Sequence, residues 1–383
     1  MMKICEDELC TGCCACLNIC PKAAISMVED NFGFNHPYID NNICIDCGLC
    51  QKVCPIHNKP QKRKELITFA AISKDVNIYK SSTSGGIATT LSQYIISTGG
   101  VVYGVAFDDK FNLKHKRVDN IKDIPTLQGS KYVQSAIEYT FKQIKSELPQ
   151  RRILFIGTPC QVAGLINYIP TKLQTNLTTI SFICGGVPSI KFLKQNLTPF
   201  LNDAQSLKFR NGEKYGFWIK KTDNTVIYLK RFYSHYFRAF DNKISLRHSC
   251  YNCQLACQER IGDITIGDFW GLNKGELIKK ADKGISIIIC STNKGKKIIE
   301  ETQSYLFLER HDIAETLDMN PRLSSPPEIS KAVWKFRQAY LNTKDFNKSV
   351  NSVLGMKYKI YAIKRKLKKI TVLDYLYSLI KKM

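Results

Sequence analysis

The feature that most constrains this chain is a duplicated cysteine run. Residues 10–21 read Cys10-x2-Cys13-x2-Cys16-x3-Cys20-Pro21. Cys44, Cys47, Cys50, Cys54 and Pro55 repeat that spacing 34 residues later. Three thiols at two-residue gaps wrap one iron–sulfur cube, and the fourth leaves the loop to reach a second cube. The proline after each run fixes its own φ and ends the segment. The spacing predicts two 4Fe-4S clusters. One is held by Cys10, Cys13, Cys16 and Cys54, the other by Cys44, Cys47, Cys50 and Cys20. Zinc also binds CxxC pairs, but both runs keep the iron–sulfur spacing at every position. Cys5 and Cys14 fall off that spacing and read as small packing residues. Gly12 and Gly48 lie between ligands, where a tight turn and close backbone approach to sulfur exclude a side chain.

Residues 1–58 therefore read as a small α+β bacterial-type ferredoxin domain. The chain has 383 residues and 16 cysteines. A chain this long buries a sizeable core without disulfides, so the cysteines need another role. The N-terminus is acidic and lacks an apolar signal region. No run reaches about 18 apolar residues. The expectation is a cytoplasmic protein whose thiols serve metal or catalysis. Charge is uneven: residues 1–58 carry three Lys against seven acidic groups, while the whole chain is at +23. An acidic metal-binding head on a basic body is not the usual footprint of a nucleic-acid binder, so no specific nucleic acid is expected.

Residues 59–66 form a polar linker. Beyond it, apolar strands alternate with helical stretches: LITFAAIS (66–73), IATTLSQYIIST (87–98), VVYGVAF (101–107), RILFIG (152–157), QVAGLINYI (161–169) and TTISFIC (178–184). The alternation predicts an α/β body with a mainly parallel sheet. Its parts are residues 67–150 and 151–310, with a basic helical tail at 311–383. Ser84, Gly85 and Gly86 open a helix, where free N–H groups favour an anion; a plain N-capped turn is the commoner reading of these residues by themselves. Lys131, Tyr132, Gln134 and Ser135 offer one cation among hydroxyls and amides, which suits a phosphate, a flavin edge or a polar helix start.

Cys160 and Cys184 both end strands of consecutive βα units, so a parallel sheet brings them to one edge, where ligand crevices form. Cys250 and Cys253 add a CxxC. Together the four make a set for a third 4Fe-4S cluster, with Cys257 competing with Cys184. A nucleophilic Cys160 at a helix start and a redox disulfide at Cys250–Cys253 are the alternatives. Cys290 closes an apolar run and reads as core.

STSGG, GSKYVQS, GTPCQVAGL, CGGVPS, SCYNC and DITIGDFWG occur in that order. Over about residues 67–300 the chain resembles the family of coenzyme F420 hydrogenase/dehydrogenase beta subunits, in which an N-terminal ferredoxin domain is a common addition. The resemblance implies a flavoenzyme with FAD beside a 4Fe-4S cluster. It implies Cys160, Cys184, Cys250 and Cys253 as cluster ligands. Ser84, Gly85, Gly86, Lys131, Tyr132, Gln134 and Ser135 become flavin contacts, with Asp268 and Trp270 edging the site. One departure stands out: many bacterial members carry His after the second body cysteine, and this chain has Gly185.

Three functions remain in view: an iron–sulfur flavoprotein oxidoreductase, a non-catalytic electron-transfer subunit, and a zinc protein that binds nucleic acid. The first passes electrons between FAD, the clusters and a hydride carrier (deazaflavin-like or nicotinamide) or organic substrate. A protein redox partner is also expected. Residues 214–232 read as a hairpin whose aromatics and lysines suit either single-stranded nucleic acid or solvent. Residues 359–383 read as a basic amphipathic helix for an anionic membrane surface, an acidic partner or the body itself.

Overall fold

The computed structural model describes residues 3–212, 214–361 and 363. Strands β1 (Ile25–Glu29) and β2 (Asn35–Ile39) pair antiparallel in the N-terminal domain. The body is built on β3 (Ile67–Ser73), β4 (Val101–Phe107), β5 (Leu113–Val118), β6 (Ile153–Gly157) and β7 (Leu177–Phe182). Next come β8 (Ala204–Asn211), β9 (Lys214–Lys221) and β10 (Val226–Lys230), then β11 (Ile264–Asp268), β12 (Ser286–Cys290) and β13 (Leu306–His311). Eight of these form one sheet in the order β13-β3-β12-β11-β7-β6-β4-β5.

The sheet is mixed, which corrects the mainly parallel expectation. β3, β4, β6, β7 and β11 point one way, but only β4–β6, β6–β7 and β7–β11 are parallel neighbours. β12 and β13 sandwich β3 in the opposite sense. Strand direction was hidden because a strand covered on both faces is apolar throughout, whichever way it runs. β6 and β12 are such strands, buried at all positions. β3 also lies between the last two strands of the sheet, so the stretches 67–150 and 151–310 are woven into one sheet.

Alternation along the strands splits the core. Val102, Leu154 and Ile180 face a helix layer with Leu91 and Ile95. Tyr103, Ile153 and Phe155 face the opposite side and share one core with Cys13, Leu17, Val53 and the helix Pro159–Tyr168. The ferredoxin domain thus covers a sheet face. Truncating Phe155, which is fully buried, would cost about 3–5 kcal/mol. The polar stretch before β3 is laid along the body: Arg63 and Arg260 exchange backbone hydrogen bonds.

The 214–232 hairpin acquires a third strand, β8. Trp218 stacks directly on Tyr228 across the pair, and Phe217 is buried, so these rings are engaged within the protein. Helix Lys331–Thr343 and the helix over 346–361 bring Phe336, Tyr340 and Phe346 onto Phe192. The region after 310 therefore contributes core, and most of the basic 359–383 stretch lies outside the described residues. Among the described residues no helix is long and apolar enough to cross a membrane.

Candidate functional site

Cys10, Cys13, Cys16 and Cys54 line one small cavity, and Cys20, Cys44, Cys47 and Cys50 line a second. The crossing has a local cause. Short helices Ala15–Ile19 and Leu49–Val53 follow the three-cysteine loops, and each ends on an extended cysteine, Cys20 or Cys54. Gly12 and Gly48 hold φ of 68° and 70° in those loops, a region costly for residues with a Cβ. Among the described residues, no three His, Cys, Asp or Glu side chains converge on one ion position. Each set of four thiols lines a small cavity of its own, the arrangement a cube needs. The donor sets fit the cubes. Cys5, read as packing, also lines the first cavity. The Cys5 thiol beside them holds Cys10 and Cys54 below the ordinary thiol range, and His36 and Arg247 add to the effect at Cys10. No spacing signal marked Cys5.

The first of these cavities faces the body. A Cβ built at Gly164 would stand 2.9 Å from the Cys13 sulfur. Asn18 Nδ2 donates to the Glu138 carbonyl at 2.8 Å. Arg247 Nε donates to the Cys10 carbonyl at 2.6 Å. The second cavity lies outward, and Cys47 is exposed.

In the body, Cys160, Cys184, Cys250 and Cys253 lie within one another's electrostatic fields. Cys160 opens helix Pro159–Tyr168, whose start is fixed by a Thr158–Gln161 capping box. Burial pushes the Cys160 thiol up and Cys184 up to about 12, the reverse of an activated nucleophile. Cys257 turns onto its own loop, donating to the Gln254 and Glu259 carbonyls. Cys290 is fully buried in β12.

A cavity of about 590 Å³ opens at the carboxyl ends of β4, β6, β7 and β11, and Cys184 is part of its wall. Ser84, Gly86, Lys131, Tyr132, Ser135, Asp268 and Trp270 line it. Two of the expected contacts do not. Gly85 packs on the sheet, where a Cβ would meet the Ala71 carbonyl at 2.2 Å. Gln134 turns to the ferredoxin domain, donating to the Thr11 carbonyl and accepting from Arg247. Three wall residues have altered roles. Lys131 spends its ammonium on the carbonyls of Leu127, Gln128 and Gly129, closing its own loop. Burial alone pulls its pKa to about 7, while those carbonyls favour the charged form. Asp268 is ion-paired with buried Arg210 at 2.7 Å. Ser84 keeps a buried hydroxyl with no partner among the described residues.

Sequence reasoning missed the opposite wall, Tyr215, Arg231, Phe240 and Lys243. They come from β9 and the segment after it, a region without a motif. Lys243 and Phe240 fill the space beside Gly185: a Cβ there would stand 3.7 Å from each.

The duplicated thiol cavities docked on this sheet define an iron–sulfur electron-transfer protein. Residues 9–58 match the 4Fe-4S dicluster domain, and residues 150–316 match the family described as the C terminus of the beta subunit of coenzyme F420 hydrogenase/dehydrogenase. The chain carries that family's C-terminal domain behind a 4Fe-4S dicluster ferredoxin domain, and is related to the F420 hydrogenase beta subunit. Among its relatives is one of the subunits of the F(420)H(2) dehydrogenase of Methanosarcina mazei, 18% identical over 241 residues, covering 58% of this chain and 67% of that protein. The 7Fe ferredoxin of Hydrogenibacillus schlegelii is 43% identical over 42 residues, covering 11% of this chain and 47% of that protein. A chain of the F420-reducing [NiFe] hydrogenase complex from Methanosarcina barkeri overlays with a TM-score of 0.49 at 18% identity, covering 68% and 90% of the two chains.

Proposed function

We propose that the chain is an iron–sulfur flavoprotein oxidoreductase. It would hold a flavin such as FAD in the large cavity and a third 4Fe-4S cluster on Cys160, Cys184, Cys250 and Cys253. One observation carries this reading: Cys184 belongs to the four-thiol set and also lines the cavity, so the two sites share a wall. When bound, a flavin exchanges electron pairs with organic carriers and single electrons with iron–sulfur centres.

The chain's own residues supply position and charge. The unpartnered Ser84 hydroxyl and the Thr83–Ser130 hydroxyl pair offer polar contacts on one side of the cavity. Lys243 and Arg231 give the other side a cationic face, suited to an anionic carrier or substrate. Arg231 is paired with Asp241 at 2.6 Å, whereas Lys243 lies against the Phe240 ring at 4.4 Å. The apolar walls, among them Ile87, Ile124 and Phe237, limit water. Electrons would pass to the Cys10 set and leave by the Cys20 set. There Cys47 is exposed and the exposed Ile43 and Ile45 offer a contact face for a protein redox partner.

Anaerobic purification with iron, sulfide and flavin analysis tests the reading. About 12 irons with bound flavin support it, and Cys160→Ser should then lose about four irons. About eight irons without flavin would reduce the protein to the alternative, a non-catalytic carrier of electrons within a larger complex. The Methanosarcina mazei relative, named as one part of a dehydrogenase, favours that alternative.

A further inference from the structure

Arg247 has an unusual place. Only 2% of it is exposed, yet its guanidinium belongs to neither domain alone. Its backbone begins the turn that carries Cys250: the Cys250 N–H donates to the Arg247 carbonyl. Its side chain crosses into the ferredoxin domain. Nε donates to the Cys10 carbonyl at 2.6 Å, Nη2 to the Asn35 carbonyl at 2.9 Å, and Nη1 to Gln134 Oε1 at 3.2 Å. His36 lies 3.4 Å away, and the Phe34 ring lies 5.5 Å from the guanidinium carbon. The guanidinium is pressed on the cysteine loop: a Cβ at Gly12 would stand 3.0 Å from Nη1.

No Asp or Glu forms an ion pair with Arg247 among the described residues. A buried cation without an anion is costly by several kcal/mol, so a fixed counter-charge is expected nearby. Two are at hand once clusters are held: a 4Fe-4S cube on four thiolates is an anion, and reduction makes it more negative. Arg247 therefore touches the segments that carry both thiol sets: its side chain holds the Cys10 carbonyl, and its own carbonyl accepts from the Cys250 N–H.

We propose that Arg247 is the counter-charge shared by the Cys10–Cys13–Cys16–Cys54 cluster and the body cluster. It favours the reduced state of both and so sets their potentials together, leaving the outward cluster of Cys20, Cys44, Cys47 and Cys50 unaffected. It is a tuning residue and holds no iron. The proposal rests on the third-cluster reading above.

The test is an EPR-monitored redox titration of the full-length, anaerobically purified protein and of R247Q and R247K. R247Q should lower the one-electron reduction equilibrium of two of the three clusters at least tenfold, about 59 mV, with the third unmoved. R247K, which keeps the charge, should shift the same two by less than half as much. Full iron with three unmoved midpoints in R247Q would overturn the proposal. So would an equal shift of all three, or equal shifts in R247Q and R247K, which would point to lost docking geometry. If R247Q cannot hold iron, R247K decides: midpoints close to wild type support the role, and a tenfold drop overturns it. About eight irons in the wild type would instead remove the third cluster itself, a failure visible before any variant is made.

Discussion

Gly164 lies against Cys13. The Cβ that any other residue would add stands 2.9 Å from the Cys13 sulfur and 3.0 Å from its Cβ. The same helix, Pro159–Tyr168, opens with Cys160 one turn earlier. A single rigid element therefore spaces the body thiols from the inward ferredoxin thiols.

Gly164→Ala sets two effects against each other. Alanine improves the helix by about 1 kcal/mol over glycine, while overpacking a filled contact costs about 1–3 kcal/mol. With Cys13 anchored in its loop, the contact should win. Denaturant unfolding should show a net loss of about 1 kcal/mol, with less iron retained. A stabilised variant would mean that Cys13 yields freely.

Gly85→Ala should be harsher. Its Cβ would meet the Ala71 carbonyl at 2.2 Å and the Ser286 backbone nitrogen at 3.0 Å, both fixed in the sheet. A loss of about 2–3 kcal/mol follows, with displacement of the Ser84 loop and weaker cofactor retention. Gly129→Ala is the control: nothing lies within 4 Å, and only its φ of 84° opposes a side chain, a cost of about 1–2 kcal/mol. Equal losses in thermal melts would refute the clash at Gly85.

His115 should give the body an acid-sensitive step. Its ring stacks on Phe155, and Nδ1 is buried without a partner among the described residues. Burial lowers its pKa from 6.5 to about 4, against backbone hydrogen bonds that oppose the shift. The unfolded chain then binds the proton more readily than the folded one. Stability is fully present above pH 6.5 and is lost as pH falls toward 4. From pH 7 to pH 5 the loss is about 2 kcal/mol. Unfolding of His115→Gln at both values should lack this increment, and an identical pH dependence would exclude His115 as its source.

Asp268→Ala should unmask Arg210. The arginine side chain is 2% exposed, and Asp268 is its ion-pair partner at 2.7 Å. Removing one member of such a pair costs about 3–5 kcal/mol. Asp268→Asn still accepts a hydrogen bond and should lose less. A loss below about 1 kcal/mol in Asp268→Ala, by equilibrium unfolding, would show that water or Tyr215, 4.6 Å from the guanidinium carbon, replaces the carboxylate.

Much of the site is written in local spacing. The two CxxCxxCxxxCP runs name their thiols because a tight loop around a cube leaves no other register. Gly12 and Gly48 follow from the same turns, and the strand end at Gly157 follows from the apolar run before it, whereas β7 stops at Phe182, two residues short of the Cys184 that its apolar run reaches. What the sequence could not carry was direction and adjacency. β3 and β12 are covered along most of their length, so nothing local shows that they run antiparallel. Gln134 and Lys131 have the polarity of ligand contacts, but one is drawn away by Thr11 and Arg247 and the other is held by its own loop. Arg247 and Lys243 sit in stretches with no motif. They matter because the fold brings Cys10 to one and the cavity to the other. The grouping of the thiols was set by chain spacing, whereas the shared core, the cavity wall and the buried cation between the thiol sets arise only when distant segments pack.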